Sequence, residues 1–98
     1  MSGMDQQVGS FIWDVRKEAT NAQKHGVDFE TAARAFKDPR RKIYTDERHS
    51  EDEPRYFCVG LIEGRILMVR FTYREGLIRM DGAAYWRKGR RYYEEEHA

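Results

Sequence analysis

The chain has 98 residues, enough for one domain with a single modest core, because a domain of this size removes roughly two-thirds of its unfolded surface from water on folding. Charged residues make up 36% of it and aromatics 13%, a polar chain that still carries large core pieces, and this excludes wholesale disorder. The net charge of +1 hides a segregation of signs: seven basic residues lie between Arg70 and Arg91 against Glu75 and Asp81, whereas "DERHSEDE" (46–53) is acidic apart from Arg48, His49 and Ser50.

The leading stretch "MSGMDQQVGS" lacks the basic-then-apolar order of a signal peptide, so residues 1–10 are expected to form a loose, disordered tail ahead of a single domain over 11–98. No apolar run approaches the length that spans a bilayer, which argues against a membrane partner. The single cysteine, Cys58, cannot form an internal disulfide. It sits in the apolar run "YFCVGLI" and reads as a buried strand residue of a reducing, cytoplasmic compartment, with a catalytic thiol as the weaker alternative.

In chain order, "FIW" (11–13) can form a short strand, and Asp14 is a good N-cap for a helix over 14–24. Val15, Ala19 and Ala22 fall on one face of that helix, and Gly26 can take the left-handed conformation that closes it. Lys24 and His25 then lie at its negative pole, which favours cations. Asp28 repeats the capping signal for a second helix with an apolar stripe of Phe29, Ala32, Ala33 and Phe36, ended at Asp38 by Pro39.

Beyond this point the periodicity changes. "RKIYT" can form a strand, and "RYFCVGLI", "RILMVRFTY" and "LIRMDGAAY" read as three more, joined by "EG" and "REG" links short enough to demand antiparallel hairpins. A last helix is expected over 87–96, with Tyr85, Tyr92 and Tyr93 toward the sheet and Glu94, Glu95 and Glu96 partly balanced by Arg90 and Arg91. The fold class is therefore α+β: two N-terminal helices, a sheet of about four antiparallel strands and a C-terminal helix, the helices packed on one face.

Arg70 and Arg79 interrupt strands that are otherwise apolar. Such arginines lie either on a solvated sheet face or at a phosphate site, where the guanidinium fork meets two oxygens at once. Whether they share a face depends on the strand register, which a bulge at Gly76 would change. Trp86, Arg87, Lys88, Arg90 and Arg91 interleave an aromatic with cations, as a surface that stacks a base and neutralises a phosphate backbone does, although Trp86 alone reads better as core. His49 stands beside Glu51, Asp52 and Glu53; the spacing is not that of a zinc or calcium site, and the pattern suits a general acid or base flanked by carboxylates. His25 reads as a helix-end residue and His97 as tail. The chain has no glycine-rich phosphate loop, serine nucleophile elbow or dinucleotide fingerprint, which disfavours nucleotide-fuelled and acyl-transfer chemistry.

Taken in order, "FIWD", "NAQKHGVDFETAARAF", "DP", "DERHSEDEPRY", "RILMVRFTYREGLIRM" and "GAAYWRKGRRYYEE" resemble the BrnT family of bacterial type II toxins over about residues 11–96, with "KHGVDFETA" and "HSEDE" the most specific pieces. Asp81 stands where an apolar residue is expected. The resemblance implies a RelE-like fold and a metal-independent endoribonuclease, without cofactor, that slows translation. It also implies neutralisation by a BrnA-type antitoxin whose ribbon-helix-helix domain would bring the complex to operator DNA.

Metal-free RNA cleavage needs a group to take the ribose 2′-OH proton, cations for the charge developing at phosphorus, and a proton for the departing 5′-oxygen. These roles are expected of Arg70 and Arg79 at the phosphate and of His49 or Glu51 for protons, with Lys24, His25, Trp86, Arg87, Lys88 and Arg90 holding the RNA. The competing readings are a non-catalytic regulatory module that binds nucleic acid or protein, and a small structural subunit.

Overall fold

The computed structural model describes residues 4–97, with the side chains of all of these except residues 92 and 95–97. Six strands form one mixed sheet in the order β1-β2-β6-β5-β4-β3, where β1 is Asp5–Val8, β2 Phe11–Asp14, β3 Lys42–Thr45, β4 Tyr56–Ile62, β5 Arg65–Arg74 and β6 Leu77–Tyr85. The helices are α1 (Val15–His25), the short α2 (Phe29–Ala33), which tightens into a 3-10 turn at Arg34–Lys37, and α3 (Gly89–His97).

The meander follows the sequence closely. β4–β5 and β5–β6 are joined by two-residue loops, Glu63-Gly64 and Glu75-Gly76, all four residues at positive φ. That is the mirror-image turn whose twist matches a right-handed hairpin, and glycine at its second position adopts it without strain. Both helix starts are also as expected. The Asp14 carboxylate accepts the Arg16 N–H at 2.8 Å and the Asp28 carboxylate accepts the Thr31 N–H at 2.7 Å, and these bonds hold both carboxyls below the usual aspartate range.

Three expectations are corrected. The leading residues are not all loose: Asp5–Val8 pairs antiparallel with β2, while residues 1–3 lie outside those described. The sheet is neither four-stranded nor wholly antiparallel, since β2 runs parallel to β6 through Phe11↔Ile78 and Ile12↔Arg79. The helices do not share one face. α2 and its 3-10 turn cover the side carrying Trp13, Cys58, Leu67, Val69, Phe71 and Met80, and α3 covers the other, where Val59 and Ile66 receive Tyr93 beside the partly buried Trp86. Tyr85 ends β6, as the strand reading of "LIRMDGAAY" expects. The expected inward placement of Tyr92 and the balance of Glu95 and Glu96 fall on side chains outside those described.

In α1 the expected apolar face is not what is buried. Ala19 is exposed and the buried residue is Asn21, at the place where β2 no longer covers the edge of β6. Its side-chain amide donates to Ala83 O at 2.8 Å and to Val27 O at 3.2 Å, and it accepts the Ala83 N–H at 3.0 Å. It completes the open strand edge as a neighbouring strand would. Asn21→Ala strands three buried backbone groups, each costly to leave unpaired, and is expected to lower stability by about 3 kcal/mol in urea unfolding.

Cys58 is fully buried, and burial pushes its thiol up to about 12, so it stays protonated and unreactive at neutral pH. Among the described residues no helix is long and apolar enough to cross a membrane.

Candidate functional site

A cleft of about 1130 Å³ opens between α1, β5–β6 and the segment that follows β3. One wall is the polar face of α1, where Lys17, Thr20, Asn21 and Lys24 recur at helical spacing and His25 follows at the helix end. The floor is Met68 and Arg70 of β5, whose cross-strand partners on β6 are Ala84 and Gly82. Small partners beside a long arginine leave the floor open. The far wall is formed by Asp46, the 3-10 turn Glu47–His49, then Glu51, Asp52 and Arg55.

The far wall is held as a closed loop. Asp46 N–H donates to Arg55 O at 2.7 Å, and the Ser50 hydroxyl accepts Arg55 N–H at 2.9 Å while donating to Asp46 O at 2.6 Å. Thr72 ties the same loop to the sheet through a 2.8 Å bond to Pro54 O. His49 Nδ1 lies 2.9 Å from the buried Asp46 carboxylate, and its ring is half exposed to the cleft. Its carboxylate partner is therefore the residue three before it, not Glu51, Asp52 or Glu53 after it.

Register settles how the two strand arginines relate. β5 and β6 slip by one residue between Arg70↔Gly82 and Phe71↔Met80, so the bulge falls at Asp81 and not at Gly76. This extra residue lets both Met80 and Ala83 face the core, although an odd spacing would otherwise put them on opposite sides. It also explains an acid where an apolar residue was expected: Asp81 sits at the bulge, lines the cleft and bridges Lys17 at 3.3 Å and Arg55 at 3.4 Å. Arg79, opposite Thr72, stands on the same face as Arg70 but does not line the cleft. Its guanidinium forks onto the Asp5 carboxylate at 3.1 and 3.2 Å, both side chains about 15% exposed, and that bond raises the guanidinium above its ordinary range. The expected partnership of Arg70 with Arg79 is not present; Arg79 fastens β1 instead.

The cleft thus gathers Lys24, His25, His49, Glu51 and Arg70 from the expected set, and adds Lys17, Asp46, Arg48, Arg55 and Asp81. Its charge is mixed, with Asp81 and Asp14 occupied by Lys17, Arg55 and Arg16. Lys24, Arg48 and Arg70 make no side-chain hydrogen bond or ion pair among the described residues, and they are the cations left to meet an anion.

The remaining expected residues lie elsewhere. Trp86 packs against the second core cluster, and a Cβ on Gly89 would come within 2.3 Å of its ring, so glycine there makes room for the indole. Arg87, Lys88 and Arg90 border a separate shallow depression with Arg91 and Glu94, and Arg90 pairs with Glu94 and donates to Gly64 O.

No curated protein matches the chain in sequence. The family model described as the ribonuclease toxin BrnT of type II toxin-antitoxin systems matches residues 13–88, a span that takes in every residue lining the cleft and leaves out α3. The chain belongs to the BrnT family, the ribonuclease toxins of type II toxin-antitoxin systems.

Proposed function

We propose that this chain is a metal-independent endoribonuclease whose reaction takes place in the cleft between α1, β5–β6 and the 46–55 segment. The observation that carries the reading is the meeting of an oriented imidazole, His49, with Arg70 and Lys24, cations that have no internal partner among the described residues, in one cleft within a ribonuclease toxin family match. His49 Nε2 takes the ribose 2′-OH proton as the 2′-oxygen bonds to phosphorus. The P–O5′ bond breaks, and the 5′-oxygen leaves with a proton from water. The products are a 2′,3′-cyclic phosphate and a 5′-hydroxyl. Arg70 stabilises the charge on the non-bridging oxygens, where fixed donors are most effective, and Lys24 and His25 hold the neighbouring backbone. Glu51, exposed on the same wall, is the alternative to His49 for moving the proton.

In the cell this activity slows translation in the cytoplasm. A BrnA-type antitoxin with a ribbon-helix-helix domain covers the toxin and carries the pair to operator DNA. The cations in the turn before α3, Arg87 and Lys88, extend the RNA-holding surface beyond the cleft.

Purified protein incubated with RNA in EDTA is expected to give fragments with 5′-hydroxyl ends at a rate within about twofold of that in magnesium, since no step needs a bound metal. Retention of RNA without cleavage would instead support a non-catalytic binding module. Expression alone should arrest growth, and co-expression of the antitoxin should relieve it.

A further inference from the structure

The acidic segment holds one carboxylate that solvent scarcely reaches. Asp46 is 5% exposed, and its backbone is fixed on both sides, by Arg55 O through its N–H and by the Ser50 hydroxyl and the His49 N–H through its C=O. Its Oδ2 stands 2.9 Å from His49 Nδ1. A carboxylate only accepts, whereas a neutral imidazole has one donor nitrogen and one acceptor, so this contact puts the proton on Nδ1 and leaves the Nε2 lone pair free. The ring is half exposed and lines the cleft, on a loop whose ends are tied together. A mobile surface histidine would have neither the fixed tautomer nor the fixed plane.

We propose that Asp46 is the positioning residue of this ribonuclease: it holds His49 as the Nδ1–H tautomer, with Nε2 presented to the reacting ribose, and balances the imidazolium that forms when Nε2 takes the proton. The proposal rests on the reading of the cleft as a ribonuclease site in which His49 moves a proton. Asp46 touches neither the RNA nor the reacting atoms and acts through the ring. The 2′-OH proton moves to Nε2 while the Nδ1 proton stays on nitrogen, so Asp46 remains ionised throughout.

The test combines a spectrum and a kinetic cycle on the full chain. In a nitrogen-15 imidazole correlation spectrum of the wild-type protein with His49 neutral, Nδ1 is expected to carry the proton and Nε2 to be bare. Asp46→Asn, whose amide can donate as well as accept, should shift the ring toward the Nε2–H form. With an RNA oligonucleotide, D46N should lower kcat about 100-fold or more and leave KM within about twofold, because orientation and not RNA binding is lost. In a His49→Ala background the same change should cost less than about threefold, as expected for two residues acting as one unit.

A wild-type spectrum with the proton on Nε2 overturns the proposal whether or not the variant folds. An undiminished effect of D46N in the His49→Ala background also overturns it, by making Asp46 merely structural. Should the wild-type protein fail to cleave RNA, the ribonuclease reading falls on its own. The spectra then still decide the Asp46–His49 contact: an Nδ1–H ring that D46N converts upholds it, and any other result removes it.

Discussion

Replacing Arg70 with alanine is expected to lower RNA cleavage by about 100- to 1000-fold, the loss seen when one fixed donor to a developing oxyanion is removed. The position makes this a clean test. Arg70 lies in the middle of β5, between Phe57 of β4 and Gly82 of β6, with an exposed side chain and no internal partner among the described residues. Its truncation breaks no internal bond, so stability should move by no more than about 0.5 kcal/mol. Arg70→Lys keeps the charge but loses the planar fork, and should recover only part of the activity. Arg79→Ala is the matched control. It leaves the Asp5 carboxylate alone under β1 and should lower the unfolding midpoint, yet cleavage below that midpoint should stay within about threefold of wild type, because the guanidinium is committed to Asp5. Equal loss of activity in both variants would make Arg79 as important as Arg70 and contradict the assignment of the phosphate to Arg70 in the cleft.

His49→Ala is expected to lower kcat by roughly 100- to 10,000-fold, the range spanned by a positioned general acid or base, and to abolish growth arrest on expression. The ring is half exposed, so its removal leaves no core cavity; what is lost is an imidazole already held against Asp46. Glu51→Gln is the comparison on the same wall. Glu51 is exposed and has no fixed geometry from an internal bond among the described residues, so the smaller effect is expected there. Quench-flow or gel-based single-turnover rates on one RNA, alongside circular dichroism of each variant, separate the two carriers of proton chemistry.

Local rules made much of this molecule legible. Asp14 and Asp28 announce helix starts because a short carboxylate beside a polar–apolar periodicity has one good use, and the two Glu-Gly links fix their hairpins because the turn they form admits little else. Cys58 in an unbroken apolar run had to be buried. What escaped depends on contacts remote in sequence. "DQQV" carries no alternation that marks a strand, and it becomes one because Asp5 meets Arg79, 74 residues away. The parallel β2–β6 pairing requires the whole chain to return, and no turn signals it.

The site divides in the same way. His49 and Arg70 stand out as residue types in unusual company, and one cleft brings them together. Asp46 looks like any other acid of its run until the 3-10 turn brings it under the ring. Lys17 and Asn21 were legible in principle, since their spacing with Lys24 traces a polar face on α1, but the apolar residues at 15, 19 and 22 suggested a different buried side. The bulge leaves one local trace, the acid at 81 in an otherwise apolar stretch, but its purpose shows only in the fold, where it lets Met80 and Ala83 point the same way.

The most direct test of the central claim, that one cleft holds the RNA, is amide and side-chain shift mapping of the protein with an uncleavable oligonucleotide carrying 2′-deoxyribose at every position. The largest shifts are predicted at Lys24 and His25 on α1, at Arg48 and His49 in the 46–55 segment, and at Arg70 on β5, with smaller ones at Arg87 and Lys88. Shifts confined to the α3 surface, with the cleft unchanged at saturating oligonucleotide, would contradict it.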